Sequence, residues 1–383
     1  MQLIRKIYKA VLDSYSYLKL SERENKITFY AEDAASFGHF EAIITELTYT
    51  YKVCINYLTS DIHDPVFIRD DPYIRPFYIG SSFLRVLIFY FIKTRVFVMT
   101  MPDLETFQLK RSYAKVHYVY IFHNMLSTHM VFRKGAFDHY DTLFCVGPHH
   151  LEEVRKTELK YNLKKKHLVN YGYSRLDTIL KNKGKTQIKK EGHEMRVLIA
   201  PSWGKNALLE LCGNEILSTL AKTHFLVRVR PHPMTLKKQP KAMTLLREKY
   251  AAHKNIVFEF DVASTQSLYE SDVMISDWSG AALDYAFGLE KPVIFIDVPR
   301  KVNNPEYENI DVIPFEVSVR NDIGKVISVN EFSRLPGIIT ELVKSKHLYE
   351  DAIKKTRDKS IFNIGNSGKE GAKAILEILE VPQ

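Results

Sequence analysis

Short apolar runs rich in β-branched and aromatic residues alternate along this chain with stretches of helical periodicity. In the first half the runs are ITFYA (27–31), VCINYL (53–58), VFVMT (96–100), VYIFH (119–123), TLFCVG (142–147) and HLVNYGY (167–173). Runs of this kind, with helical patterns between several of them, predict buried strands of a parallel α/β sheet. A polar stretch from Lys181 to Met195 then breaks the pattern, with two glycines and no apolar period, and reads as a linker. The alternation resumes with RVLIAP (196–201), FLVRVRP (225–231), IVFEF (256–260), VMISD (273–277) and PVIFID (292–297), and the last stretch of chain is helical in pattern. The expectation is α/β: two Rossmann-like domains, 1–183 and 196–383, joined by a linker at 184–195, with a cleft between them. In open sheets of this kind ligands bind at the carboxyl ends of the strands.

Two apolar segments need a separate reading. The first twenty residues hold Arg5, Lys6 and Lys9, so they lack the continuous apolar core of a signal peptide and predict an amphipathic first helix. Phe83–Met101 is the most apolar stretch, but Arg85, Lys93 and Arg95 interrupt it, whereas a spanning helix needs about 20 mostly apolar residues. It predicts a buried helix followed by a short strand.

Composition narrows the class. At 383 residues, 45% hydrophobic and 26% charged, the chain is an ordinary globular protein with room for two cores. Its three cysteines lie far apart with no CxxC, which argues against a disulfide framework or a zinc site and fits a reducing cytoplasm. The net charge of +9 suits phosphate-bearing ligands or an anionic membrane surface. Nucleic acid is not expected: the charge is spread out, and no RNP-like motif, zinc finger or concentrated basic helix is present.

The candidate chemistry sits where strands end. After VMISD come Trp278, Ser279 and Gly280, opening the helical run AALDYAFGLEKP. A strand, a small polar turn and a helix start make an anion site, although Asp277 and Ser279 could equally be helix caps. RVRPHP follows another strand; Arg228 and Arg230 share a face, and Pro231 and Pro233 stiffen the loop around His232. His123 closes VYIFH, GYSRLD carries Arg175 and Asp177, and APSW carries Ser202 and Trp203. There is no Walker motif, no GxGxxG after the first strand, no HExxH, no Asp-x-Asp pair and no GxSxG elbow. Asp70 and Asp71 stand in an irregular Pro-containing stretch. No metal site and no cofactor are indicated.

Taken in order, FHN, GYSRLD, APSW, RPHP and SDWSGAALDYAFGLEKPVIF resemble the CDP-glycerol glycerophosphotransferase family, whose usual forms are WHG, GxPRxD, APTW, RxHP and TDYSSxxFD. The resemblance runs from about residue 118 to 300. It departs at Asn124, Ser174, Trp278 and Gly280, as a divergent branch would. It implies a GT-B fold with the donor nucleotide held mainly by the second domain. His123 and His232 then match the two histidines of the family's catalytic motifs. Arg175, Ser202, Trp203, Arg230, Asp277, Ser279, Gly280 and Asp284 fall at donor-side motif positions. The implied reaction takes a polyol phosphate from a CDP-activated donor to a hydroxyl of a cell-surface glycan or lipid-linked acceptor and releases CMP, in a cytoplasmic protein that can lie on the inner face of an anionic membrane. A GT-B glycosyltransferase acting on a nucleotide sugar is the alternative; a UDP-sugar epimerase would share the architecture without an acceptor.

Overall fold

The computed structural model describes residues 2–81, 83–107, 109–183, 194–260 and 266–381. They form two compact units, each built on one parallel sheet. The first sheet comprises β1 (Ile27–Ala31), β2 (Ile55–Thr59), β3 (Ile74–Tyr78), β4 (Val96–Met99), β5 (His117–Ile121), β6 (Thr142–Cys145) and β7 (His167–Asn170), in the order β3-β2-β1-β4-β5-β6-β7. The second comprises β8 (Arg196–Ile199), β9 (Leu226–Val229), β10 (Ile256–Phe258), β11 (Val273–Ser276), β12 (Val293–Ile296) and β13 (Gly324–Ile327), in the order β10-β9-β8-β11-β12-β13. Both orders run outward from the first strand and then reverse, which is the Rossmann topology with its switch point beside that first strand.

The central strands are apolar throughout because helices cover both faces of a parallel sheet. Every residue of β1, β2, β4, β6, β11 and β12 is buried. In the first unit, helix α1 (Gln2–Leu18) packs on β3, and α2 (Phe37–Thr45) drives Phe40, Ile43 and Ile44 into the core against Phe29 and Tyr57. Each such fully buried side chain contributes about 1.5–3 kcal/mol. The second core gathers Val197, Ile199, Leu217, Val227, Val229, Ile275 and Ile294.

Four expectations change. The Pro-containing stretch taken as irregular contains β3, whose Tyr57–Pro76 pairing is tolerated because β3 is an edge strand that needs hydrogen bonds on one side only. An edge strand of the second sheet, β13, opens with Gly324 and Lys325 and lacks an apolar run long enough to announce itself. The helix α3 (Phe83–Phe91) buries Ile88 and Phe89 but leaves Phe83, Leu87, Tyr90 and Phe91 exposed, so it is not the buried helix its composition suggests. Finally, residues 304–312 and 361–381 group with the first unit, not with the second. The expected linker at 184–195 falls, apart from Glu194 and Met195, outside the described residues.

The return of the chain has a physical cause. Phe362 N–H donates to the Val146 carbonyl at 2.9 Å, Asn363 Nδ2 donates to the Asn170 carbonyl at 2.5 Å, and Asp177 accepts from the N–H groups of Gly365 and Ser367 at 2.7 and 3.0 Å. The last helix, Ser367–Glu380, then lies on α2 so closely that a Cβ at Gly368 would stand 2.8 Å from the Ala42 side chain. Gly172 sits at the same junction with φ +101°, and a Cβ there would be 2.4 Å from the Phe362 carbonyl oxygen. Left-handed strain and the clash add, so Gly172→Ala should lower the stability of the first unit by about 2–4 kcal/mol. The check is the urea midpoint of that unit's unfolding transition.

Candidate active site

In both units the singled-out residues follow the carboxyl ends of strands. In the second unit the centre of the arrangement is Asp277, just past β11. Its carboxylate accepts from Ser202 N–H at 2.6 Å, Ser202 Oγ at 3.0 Å and Leu208 N–H at 2.9 Å. It therefore ties the loop after β8 and the start of the helix Leu208–Leu220 to the end of β11, across the switch point of the sheet. Burial pushes the Asp277 pKa above the usual carboxylate value, against the pull of those three donors.

The same loop sets Trp203. Lys238 and Lys301 each place an ammonium 4.3 Å from the centre of the Trp203 ring, and the His232 ring lies 6.1 Å from it. Trp203 thus gathers two lysines by cation–π attraction, with the His232 ring beside them, at one edge of the second sheet. Burial lowers the pKa of Lys301 to about 8, opposed by Asp277 and Glu210. Burial, with Lys301 next, lowers that of His232 to about 4. At neutral pH the histidine is neutral while the lysine keeps its proton. The His232 Nδ1 accepts from Met234 N–H at 3.1 Å, so the proton of the neutral ring is on Nε2, free to donate.

Ser279 caps the helix Gly280–Leu289, its Oγ accepting from Ala281 N–H at 3.3 Å, and Gly280 is the first residue of that helix. Arg230 is half-buried beyond β9, and its N–H continues the ladder to the Ile199 carbonyl at 2.8 Å. Its neighbour Arg228 is tied instead to Glu259 at 2.7 Å and Glu270 at 3.6 Å. Asp284 is buried within the helix Gly280–Leu289. Trp278 is buried too, its Nε1 donating to the Val298 carbonyl at 2.9 Å beneath the Arg320 guanidinium.

In the first unit His123 follows β5. Its carbonyl accepts from the Tyr173 hydroxyl at 2.9 Å, and its ring stands 6.1 Å from that of His39 near the start of α2. Burial lowers the pKa of His123 below 6.5, while a hydrogen bond with the Thr100 backbone and the charge of Asp33 pull it back up. Burial lowers His39 to about 3, with His123 and then Arg175 acting in the same direction. The His39 carbonyl accepts from Ser174 Oγ at 3.1 Å, so the GYSRLD segment positions α2, while its Asp177 holds the returning chain. Lys164 and Lys165 lie elsewhere, lining a cavity of about 580 Å³ with His117, whose place at the amino end of β5 is opposite to that of His123. Among the described residues no group of three or more His, Cys, Asp or Glu side chains could hold a metal ion.

The sequence matches the CDP-Glycerol:Poly(glycerophosphate) glycerophosphotransferase family over residues 97–306. The chain belongs to this family. It is a transferase of the CDP-glycerol glycerophosphotransferase type, and the match takes in every singled-out residue from His123 to Asp284. No curated protein matches the chain by sequence. Among solved structures it is similar to the wall teichoic acid polymerase TagF, with TM-score 0.59 and 14% identity over 99% of this chain and 94% of that one. It is also similar to the UDP-GlcNAc 2-epimerase of Neisseria meningitidis bound to UDP-GlcNAc, with TM-score 0.63 and 13% identity over 92% of this chain and 100% of that one. At such identities the likeness shows the fold, which is the GT-B class of two Rossmann-type domains.

Three residues of these clusters escape the sequence reading. Lys301 stands five residues past the end of β12, and asking what lies in the loop after every strand end would have found it. Lys238 belongs to a short helix whose role only the Trp203 contact reveals. His39 stands alone in the sequence, and its Nδ1 is buried with no hydrogen-bond partner among the described residues.

The neutral histidines set an acid limit. An unfolded imidazole titrates near 6.5, so below that pH the unfolded chain binds protons that His39 and His232 refuse in the fold. The stability they leave intact is full above about 6.5 and falls as the pH drops towards about 4 for His232 and about 3 for His39. Urea midpoints measured across this range should fall less steeply for His39→Gln than for the natural chain.

Proposed function

We propose that this protein transfers glycerol phosphate from CDP-glycerol to a hydroxyl of a glycan or lipid-linked acceptor and releases CMP. The observation that carries the reading is the convergence of His232, Lys238 and Lys301 on Trp203 at the carboxyl edge of the second sheet, within and beside the motifs of the family. A pyrophosphate needs charge-assisted donors and a helix start. Lys301, Arg230, the Nε2–H of His232 and the first turn at Ser279–Gly280 supply them. Ser202 and Asp277 act by positioning, since they are bonded to each other; Trp203 holds the lysines, and Arg175 adds positive charge on the side of His123 and His39. Asp284, buried in the same helix, falls at the donor-side motif position that follows that first turn.

In the reaction the acceptor oxygen attacks the phosphorus that carries glycerol. A new P–O bond forms, the bond from that phosphorus to the bridging oxygen of CMP breaks, and CMP leaves with the electron pair. The acceptor proton passes to His123, which is held neutral and so able to take it. Phosphoryl-type transfer depends chiefly on positioning and electrostatics, which is the work of the cationic cluster. No helix among the described residues is long and apolar enough to cross a membrane. A cytoplasmic enzyme working on acceptors at the inner membrane face is the setting this chemistry asks for.

Purified protein incubated with CDP-glycerol and a hydroxyl acceptor should release CMP, followed by chromatography. His123→Ala should slow turnover by about 10²–10⁴-fold, the range for a general base, with CDP-glycerol affinity unchanged. His232→Ala and Lys301→Gln should weaken CDP-glycerol binding in calorimetry. Affinity for the natural protein should hold below about 8 and fall as Lys301 loses its proton above it. Preference for a nucleotide sugar over CDP-glycerol, CDP-ribitol included in the panel, would overturn the donor assignment and favour sugar transfer.

A further inference from the structure

Helix α4 (Pro148–Lys160) turns three titratable side chains inward. His150 and Glu153 are fully buried, and His149 is half-buried beside them. Their spacing of three and four puts them on one face of the helix. That face meets the loop that leaves β5. His149 Nε2 donates to the Met125 carbonyl at 3.1 Å, and His150 Nε2 donates to the Leu126 carbonyl at 2.9 Å. His150 Nδ1 accepts from Val146 N–H at 3.3 Å, which fixes a neutral ring with its proton on Nε2. Glu153 Oε2 accepts from Thr128 N–H at 2.5 Å and from Thr128 Oγ1 at 2.8 Å, with His129 Nδ1 3.5 Å from the same oxygen. Burial resists the charge on Glu153, and the hydrogen bond from His129 leads the causes that hold its pKa below the usual carboxylate value.

The loop is held from a second side. Asn304 Nδ2 donates to the His129 carbonyl at 2.9 Å, and His129 Nε2 donates to the Val312 carbonyl at 3.1 Å, both from the returning segment 304–312 of the same unit. Upstream, the Phe122 ring lies 4.2 Å from the His150 ring. His123 and Asn124 stand between these anchors, and Asn124 Oδ1 accepts from Leu126 N–H at 3.0 Å. The backbone on both sides of His123 is therefore set by α4. Stability alone does not account for Glu153. It makes no ion pair with Lys or Arg among the described residues, and its Oε1 is buried there with no hydrogen bond. An apolar side chain of the same size would fold as well or better. What it could not do is hold the Thr128 N–H and hydroxyl in one place, and a reacting group has to be held to within about 0.5 Å.

We propose that Glu153, with His149 and His150, is a positioning residue for the transfer reaction: it fixes the loop on which His123 meets the acceptor hydroxyl. The inference rests on the reading of His123 as the proton acceptor. None of the three touches a substrate in this arrangement; they act through His123, from the side of the loop away from the donor cluster of the second unit.

The test is a double-mutant cycle on CMP release by the full chain with CDP-glycerol and a water-soluble hydroxyl acceptor. Glu153→Met keeps the bulk of the side chain and removes its hydrogen-bonding oxygens; circular dichroism checks folding. Its kcat should fall about tenfold or more, with the KM for CDP-glycerol within about twofold of the natural value. Glu153→Gln keeps an oxygen for Thr128 and should recover kcat to within about threefold of the natural protein. In a chain that already carries His123→Ala, Glu153→Met should cost no more than about a further twofold, because its effect passes through a ring that is gone. A merely structural contribution would lower the rate by the same factor with or without His123. Thr128→Val is the milder change and decides the matter where Glu153→Met does not fold. It should slow the natural chain about threefold and the His123→Ala chain not at all. Losses that add, a Glu153→Gln chain as slow as Glu153→Met, or a Glu153→Met chain with natural turnover each overturn the proposal. A His123→Ala chain with natural turnover is a separate result: it overturns the proton-acceptor reading and this inference with it.

Discussion

The cationic cluster of the second unit depends on one buried carboxylate. Asp277 takes three hydrogen bonds from Ser202 and Leu208, and through them fixes where the loop after β8 leaves the sheet. Trp203 stands on that loop, and Lys238 and Lys301 stand over Trp203. A buried acid is tolerable only when its lone pairs are occupied and a positive charge is near, and Lys301 also supplies that charge. The relation is mutual: Asp277 is among the groups that help Lys301 keep its proton against burial. Removing either leaves the other buried without its compensating charge, so the pair positions the cluster as a unit.

The first unit solves a different electrostatic problem. His123 and His39 stand with Arg175 among aromatic rings, and burial favours the uncharged imidazole in both histidines. Asp33 and the Thr100 backbone pull His123 back towards its ordinary value, whereas the causes acting on His39 all lower its pKa. Of the two, His123 is therefore the ring whose surroundings include groups that favour its protonated form. His39 keeps a second neutral ring close by without competing for that proton.

What the sequence made legible follows from burial. Central strands of a parallel sheet must be apolar on both faces, so β1, β4, β6, β8, β11 and β12 stand out as runs, and the residues just after them are where chemistry belongs. Edge strands are covered on fewer sides, and of the four, β7 and β10 still show as runs while β3 with Pro76 and β13 with Gly324 leave no such trace. The last helix reads correctly as a helix, but its membership in the first unit rests on Gly172, Asp177 and the Asn363 amide, contacts between residues far apart in the chain. His39 and Lys238 were invisible for the same reason: each acquires its meaning from a neighbour that only folding brings near.

The first helix shows the limit most sharply. Periodicity reveals that α1 has an apolar side and a mixed side, and the default inference turns the apolar side inward. Yet β3 is an edge strand, and what it needs from α1 is small, hydrogen-bonding and well shaped: Ala10 and Ser14 for close approach, Asp13 for the Tyr78 N–H, and Tyr17 reaching Thr28. Those needs are met by the mixed side. The apolar side is then left outward by exclusion, against the hydrophobic effect unless something other than water covers it. The spacing of apolar residues along a helix carries no information on which medium their shared face will meet. That is decided by which side of the helix can satisfy the sheet.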